Sequence, residues 1–213
     1  MRPELATVRT RHAQYRMPAS PVSPDTLATL HCKTTKSWET WLAKHHASSP
    51  GIWLQIAKKD SGIASTTHAE ALEAALCQGW IDGQRNAMDA QFFLQKFTPR
   101  RARSTWSKIN CDKAMALIAS GRMQPAGLAE VERAKADGRW DAAYDAQSKI
   151  TVPEDLAALL AKKPKAKAFF ESLDSRNRFA ILFRLQTAKK AETRERRLAL
   201  FFAMLQRGEK IHP

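Results

Sequence analysis

Strand-like alternation of apolar residues stops at Phe97 in this chain, and that limit constrains the fold more than any other feature. Ile52, Leu54 and Ile56 fall on one side of the run Ile52–Ala57, the pattern of a half-buried strand. Trp80–Asn86 and Gln91–Phe97 are two further strand candidates joined by a polar turn around Asp89, and Leu27–Leu30 is a short fourth. Beyond them every apolar pattern is helical. Short strands followed by a run of helices read as an α+β fold, a small mixed or antiparallel sheet with helices, followed by an all-helical C-terminal domain.

The helices announce themselves by spacing and caps. Trp38, Trp41, Leu42 and His45 share one helical face, and Thr67-x-x-Glu70 is a capping box opening a helix that stops near Gly79. Cys111, Ala114, Met115 and Ile118 form the next stripe, with Gly121 as its stop, and Pro125 and Gly138 bracket another helix. After a linker around Tyr144–Thr151, Pro153 opens a helix carrying Leu156, Leu159 and Leu160. Phe169, Phe170 and Leu173 follow, then Phe179, Leu182 and Phe183. The last helix places Leu198, Phe201, Phe202 and Leu205 on one face, with Arg194, Arg196, Arg197 and Arg207 extending its polar side. Glu192 and Arg196, four apart, read as ordinary exposed helix support. The expected organisation is a disordered leader over 1–24, an α+β domain over 25–148 and a helical domain over 149–213. Pro3, Pro18, Pro21 and Pro24 and the lack of apolar periodicity mark the leader, within which Met17 is an alternative start.

Charge separates the two halves further. The 213 residues carry 35 Lys and Arg against 21 Asp and Glu, a net charge of +14. Residues 25–90 hold 6 basic against 7 acidic side chains, whereas 91–149 hold 11 against 6 and 150–213 hold 14 against 7. Such asymmetry points to an anionic partner, whether nucleic acid, lipid headgroup or phosphorylated small molecule. No apolar run approaches the roughly 20 residues of a membrane helix, and no apolar segment after the N-terminal arginines makes a secretory signal. Three cysteines, an odd number without Cys-x-x-Cys spacing, read as reduced thiols and a cytoplasmic location.

Most catalytic and metal signatures are missing. His68-Ala69-Glu70 matches half of the zinc-deaminase pattern but lacks Pro-Cys-x-x-Cys, so Glu70 reads as a helix cap. No metal site, cofactor or catalytic residue is expected. Two stretches remain as ligand-binding candidates. In Trp80-Ile81-Asp82-Gly83-Gln84, Asp82 orients a polar ligand, pairs with a nearby arginine or satisfies turn amides beside the core residue Trp80. The other runs from Phe97 to Lys108, where Arg100, Arg101 and Arg103 precede Ser104, Trp106, Ser107 and Lys108 at a helix start. Guanidinium groups beside free helix amides make a candidate anion site, with Trp106 either stacking on a ligand ring or anchoring the core. Arg194 and Arg197 form a candidate second basic patch.

WIDGQ, FTPRRARSTWSKIN, the later AKKAETRERR and the terminal HP together resemble the YdeI/OmpD-associated family, also called the bacteriocin-protection family, from about Trp38 to Pro213. The resemblance implies a bacterial stress or bacteriocin-protection protein without established catalytic residues, and a small helical module over about Pro153–His212. A chain of +14 repels cationic peptides at long range, so the expected function is a non-enzymatic binder of an anionic ligand or partner. The alternatives are a nucleic-acid-binding protein, and an enzyme on a phosphorylated or carboxylated small molecule with Asp82 as acid/base and the arginines as clamp. The order of the strands and the oligomeric state are not encoded in any of these signals.

Overall fold

The structure is a computed structural model that describes residues 27–213; the expected leader lies outside the described residues. Four strands, β1 (Thr29–His31), β2 (Ile52–Ala57), β3 (Trp80–Ala87) and β4 (Phe92–Pro99), form one sheet in the order β1-β2-β4-β3. β1 runs parallel to β2, and the other two pairings are antiparallel, so the sheet is mixed. Alternation on β2 buries Ile52, Leu54 and Ile56, and on β4 it buries Phe93, Gln95 and Phe97 on the same face.

That face is covered by α1 (Thr35–His45) and α2 (His68–Cys77). Both helices open with capping boxes, Thr34 with Ser37 and Thr67 with Glu70. Tryptophans tie the layers together. Trp38 stands 5.4 Å from the Phe97 ring and donates its indole N–H to Ala71 O at 3.0 Å, while Trp80 donates to His46 O at 3.0 Å. Each large ring is therefore fully buried without leaving its polar atom unpaired.

β3 carries a bulge. Asp82 faces Phe97 and Arg85 faces Gln95, so three steps along β3 match two along β4. The Gln95 side chain, 3% exposed, serves the bulge by donating to Gly83 O at 2.9 Å and Gln84 O at 3.2 Å.

Two helices then pack against α2, α3 (Lys108–Ala119) and α4 (Pro125–Ala136). The approach of α4 is very close: a Cβ at Gly127 would lie 2.4 Å from Cys77 O and 2.5 Å from Leu76 O. Gly79, at φ +72°, faces the same helix across a gap too narrow for a side chain.

The C-terminal helices α5 (Glu154–Ala161), α6 (Pro164–Ser172), α7 (Ser175–Gln186) and α8 (Ala191–Gln206) surround a second core of Leu156, Leu160, Phe170, Leu182, Leu185 and Phe201, among others. The chain end is clipped to this bundle. Asn177, 1% exposed, accepts from His212 N at 2.9 Å and donates to His212 O at 3.2 Å. The segment after α4 contacts α7 through the Tyr144 and Phe183 rings, 4.7 Å apart edge to face, and through Asp145, whose N–H donates to Gln186 Oε1 at 3.2 Å.

Gly127→Ala tests the α2–α4 contact. Backbone atoms cannot yield as a flexible side chain would, so the substitution is expected to cost about 1–3 kcal/mol in urea unfolding. An unchanged midpoint would mean that α4 does not sit this close.

Candidate anion site

Arg100 follows the last residue of β4 and is held there by its own N–H, which donates to Gly79 O at 2.9 Å. Its guanidinium turns inward and is 6% exposed. Cζ lies 3.6 Å from the centre of the Trp106 ring, and Nη1 donates to Thr105 O at 3.1 Å. Nε and Nη2 are buried and have no partner. Burial is the main reason that the Arg100 pKa falls from the ordinary guanidinium value to about 10, with Glu130, Cys111 and Tyr144 pulling against it and Arg139 adding to the fall. The group is therefore still cationic at neutral pH.

Arg139, just beyond α4, approaches the same loop and is 5% exposed. Its Nε donates to both Asp137 oxygens, at 2.7 and 2.8 Å, and Nη1 donates to Ser104 O at 2.7 Å. Nη2 is buried without a partner. Trp106 lies between them in the chain's folding logic: it is 2% exposed, 4.9 Å from the Trp140 ring, and its Nε1 is a third buried donor group left unpaired. The carbonyls of Ser104, Thr105 and Trp106 are thus each taken, by Arg139, Arg100 and Tyr144 N. Four nitrogens on three neighbouring side chains are not.

The nearby carboxylates offset part of this charge. Glu130, raised chiefly by its own burial, feels Arg133, Arg100 and Arg139 and is bonded to Arg133. A cavity of about 160 Å³ borders Trp106 and Arg139 but does not reach Arg100; Thr105 lies beside them, and Gln186, Thr187 and Lys189 from the end of α7 line its other side.

The remaining candidates from the sequence are distributed differently. Arg101 and Arg103 are exposed. Ser104 Oγ accepts from Arg101 N at 2.9 Å. Ser107 caps α3 by accepting from Asn110 N at 3.2 Å, and Lys108 N donates to Tyr144 O at 2.9 Å. These bonds occupy amides at the helix start, while the Lys108 ammonium pairs with Asp145 at 2.7 Å. Trp80 lies in the sheet core, and the Asp82 carboxylate meets His68 Nε2 at 3.1 Å. Among the described residues no ion pair joins Asp82 to an arginine, and no group of three or more His, Cys, Asp and Glu could hold a metal ion. Arg139 was not among the sequence candidates. It stands alone in the chain, with no local cluster to mark it.

Arg194 and Arg197 have internal partners. Arg194 forms two bonds to Asp155, both at 3.0 Å, and donates Nη1 to Leu185 O at 2.8 Å; Arg197 donates Nη1 to Arg184 O at 2.6 Å. The expected Glu192–Arg196 pair is not among the ion pairs of the described residues.

Comparison with known proteins divides the chain in two. Residues 149–208 match the family model described as bacteriocin-protection, YdeI or OmpD-associated. Residues 30–130, which contain WIDGQ and FTPRRARSTWSKIN, match a separate model described only as a domain of unknown function, DUF8412. No curated protein and no solved structure matches the chain. The candidate site draws Arg100 and Trp106 from the first match, Gln186 to Lys189 from the second, and Arg139 from the stretch between them.

The Arg194 arrangement gives a test of the C-terminal module. Removing the guanidinium leaves Asp155 and the Leu185 carbonyl without their donor, so Arg194→Met is expected to lower stability by about 2 kcal/mol and to speed amide exchange in the last turn of α7. Unchanged exchange there would show that Arg194 does not hold that turn.

Proposed function

We propose that this chain, whose C-terminal module is of the YdeI/OmpD-associated kind, is a non-enzymatic binding protein for a small anion, taken up beside Arg100, Trp106 and Arg139. One observation carries the reading: four buried N–H nitrogens on these side chains, three of them on the two guanidinium groups, lack acceptors. Buried donors left unpaired cost about 1–3 kcal/mol each, and an oxyanion supplies both the missing acceptors and the missing charge.

Size narrows the ligand. The adjoining cavity of about 160 Å³ equals roughly five waters and falls below the range of pockets for drug-sized molecules. A phosphate, sulfate or small carboxylate fits that scale. Nucleic acid does not suit this site, because its backbone is read by exposed cations, whereas Arg100 and Arg139 are buried. The positive charge supports a protective role exerted through an anionic ligand rather than through capture of cationic peptides. Three free, buried thiols, Cys32, Cys77 and Cys111, support action in a reducing compartment such as the cytoplasm. No helix of the described residues is long and apolar enough to cross a membrane.

Titration with inorganic phosphate, followed by the indole N–H resonance of Trp106 and by thermal unfolding, tests the reading. The expected result is a saturable shift of that resonance with stabilisation of about 2.7 kcal/mol at a hundredfold excess over the dissociation constant. Arg139→Gln and Arg100→Met should abolish both responses. Arg100→Met should also destabilise the unliganded protein by about 1–3 kcal/mol, since the bond to Thr105 O and the stacking of the guanidinium on Trp106 are lost. If phosphate, sulfate and acetate all leave the Trp106 resonance unmoved, the reading fails.

A further inference from the structure

The bulge in β3 changes which face of the sheet Arg85 belongs to. In an unbroken strand the side chains of Trp80 and Asp82 share a face, and Arg85 would fall on the opposite one. The extra residue between Asp82 and Arg85 restores Arg85 to the face of Phe93, Gln95 and Phe97. There its guanidinium sits over Phe93, with Cζ 3.7 Å from the ring centre. The buried amide of Gln95 is committed to the two carbonyls that the bulge frees. A buried polar side chain is thus dedicated to re-aiming one arginine.

What Arg85 reaches is a cavity of about 470 Å³ between the end of β2, the start of α2 and the β3–β4 arm. Ile56 and Phe93 supply an apolar floor, and Lys58, Lys59, His68 and Arg85 bring cationic or titratable groups to its wall. No carboxylate lines it. Asp82 fixes the His68 ring through Nε2 at 3.1 Å, which leaves Nδ1 for another partner. Lys58 is partly committed, with Nζ on Asp89 O at 2.7 Å. The amide of Thr67 at the start of α2 is already taken by Glu70 at 2.9 Å, so the basic side chains and not the helix end carry the argument.

We infer that this cavity is a second binding site, for an anionic molecule with a flat apolar body such as an aromatic phosphomonoester. Its volume lies within the range of small-molecule pockets, and an apolar floor beneath a few convergent polar groups is their usual construction. The charged end meets Arg85 and Lys59, and the ring rests on Ile56 beside Phe93. The inference is independent of the Arg100 site, with which it shares no residue.

Calorimetric titration of the full chain with phenyl phosphate, with inorganic phosphate and phenol as separate probes, tests the site. Phenyl phosphate should bind at least tenfold more tightly than either fragment, and Arg85→Gln should weaken it by an order of magnitude or more. Arg85 is exposed on the hairpin arm, so this variant should fold normally, which its unfolding midpoint checks. Arg139→Gln should leave phenyl phosphate binding unchanged. Binding that survives Arg85→Gln, or that is lost in Arg139→Gln alone, overturns the inference, as does the absence of saturable binding to the wild type. Because inorganic phosphate also reports on the Arg100 site, the comparison with phosphate is made in the Arg139→Gln background, where the Trp106 response is absent.

Discussion

A guanidinium buried on an indole ring holds the centre of this molecule together. Arg100 leaves the sheet at the end of β4, lies on Trp106, and bonds the Thr105 carbonyl between them. Residues 100–107 are thereby folded back so that Ser107 can cap α3 and Tyr144 can bond Trp106 O and reach Phe183 of the C-terminal bundle. Stacking and one carbonyl bond recover part of the cost of desolvating the charge, and burial still drags the pKa down to about 10. The sheet, the second pair of helices and the junction with the C-terminal module all depend on that contact.

The same device recurs through the basic half of the chain. Arg139, Arg178, Arg184, Arg194 and Arg197 each donate to a main-chain carbonyl, of Ser104, Glu171, Ala180, Leu185 and Arg184 respectively. Carbonyls at helix ends and in loops lack partners of their own, and a forked cationic donor satisfies them while its stem covers apolar surface. A good part of the +14 is thus internal architecture. Most basic side chains of residues 150–213 nevertheless lie exposed.

Periodicity and caps made nearly all the elements legible. Ile52–Ala57 forms the strand its alternation predicts, and the Thr67–Glu70 box opens α2 as read. The sheet order was not legible, because the parallel pairing of β1 with β2 depends on which edges meet and not on any local pattern. Trp106 offered two readings and took the anchoring one, at 2% exposure. The helix-start amides near Lys108 looked free in the sequence, yet Ser107 and the distant Tyr144 occupy two of them. Arg139 was invisible for the same reason: its meeting with Ser104 joins positions 35 apart. The AKKAETRERR stretch was recognisable as a motif, but its role in binding Asp155 and the end of α7 appears only once α5 and α7 are folded around it.

Arginines of one type thus end in two different states, and the difference separates framework from candidate site. Arg194 spends its donors on Asp155 and Leu185, and no buried nitrogen on it is left over. Arg100 and Arg139 each satisfy a carbonyl and still keep buried nitrogens unpaired, beside a tryptophan in the same condition. A purely structural role would favour an apolar or fully paired arrangement here, since incompletely paired buried charge is the costlier choice. The cavity beside Trp106 and Arg139 is lined from both matched stretches, by Thr105 and Trp106 of one and by Gln186 to Lys189 of the other.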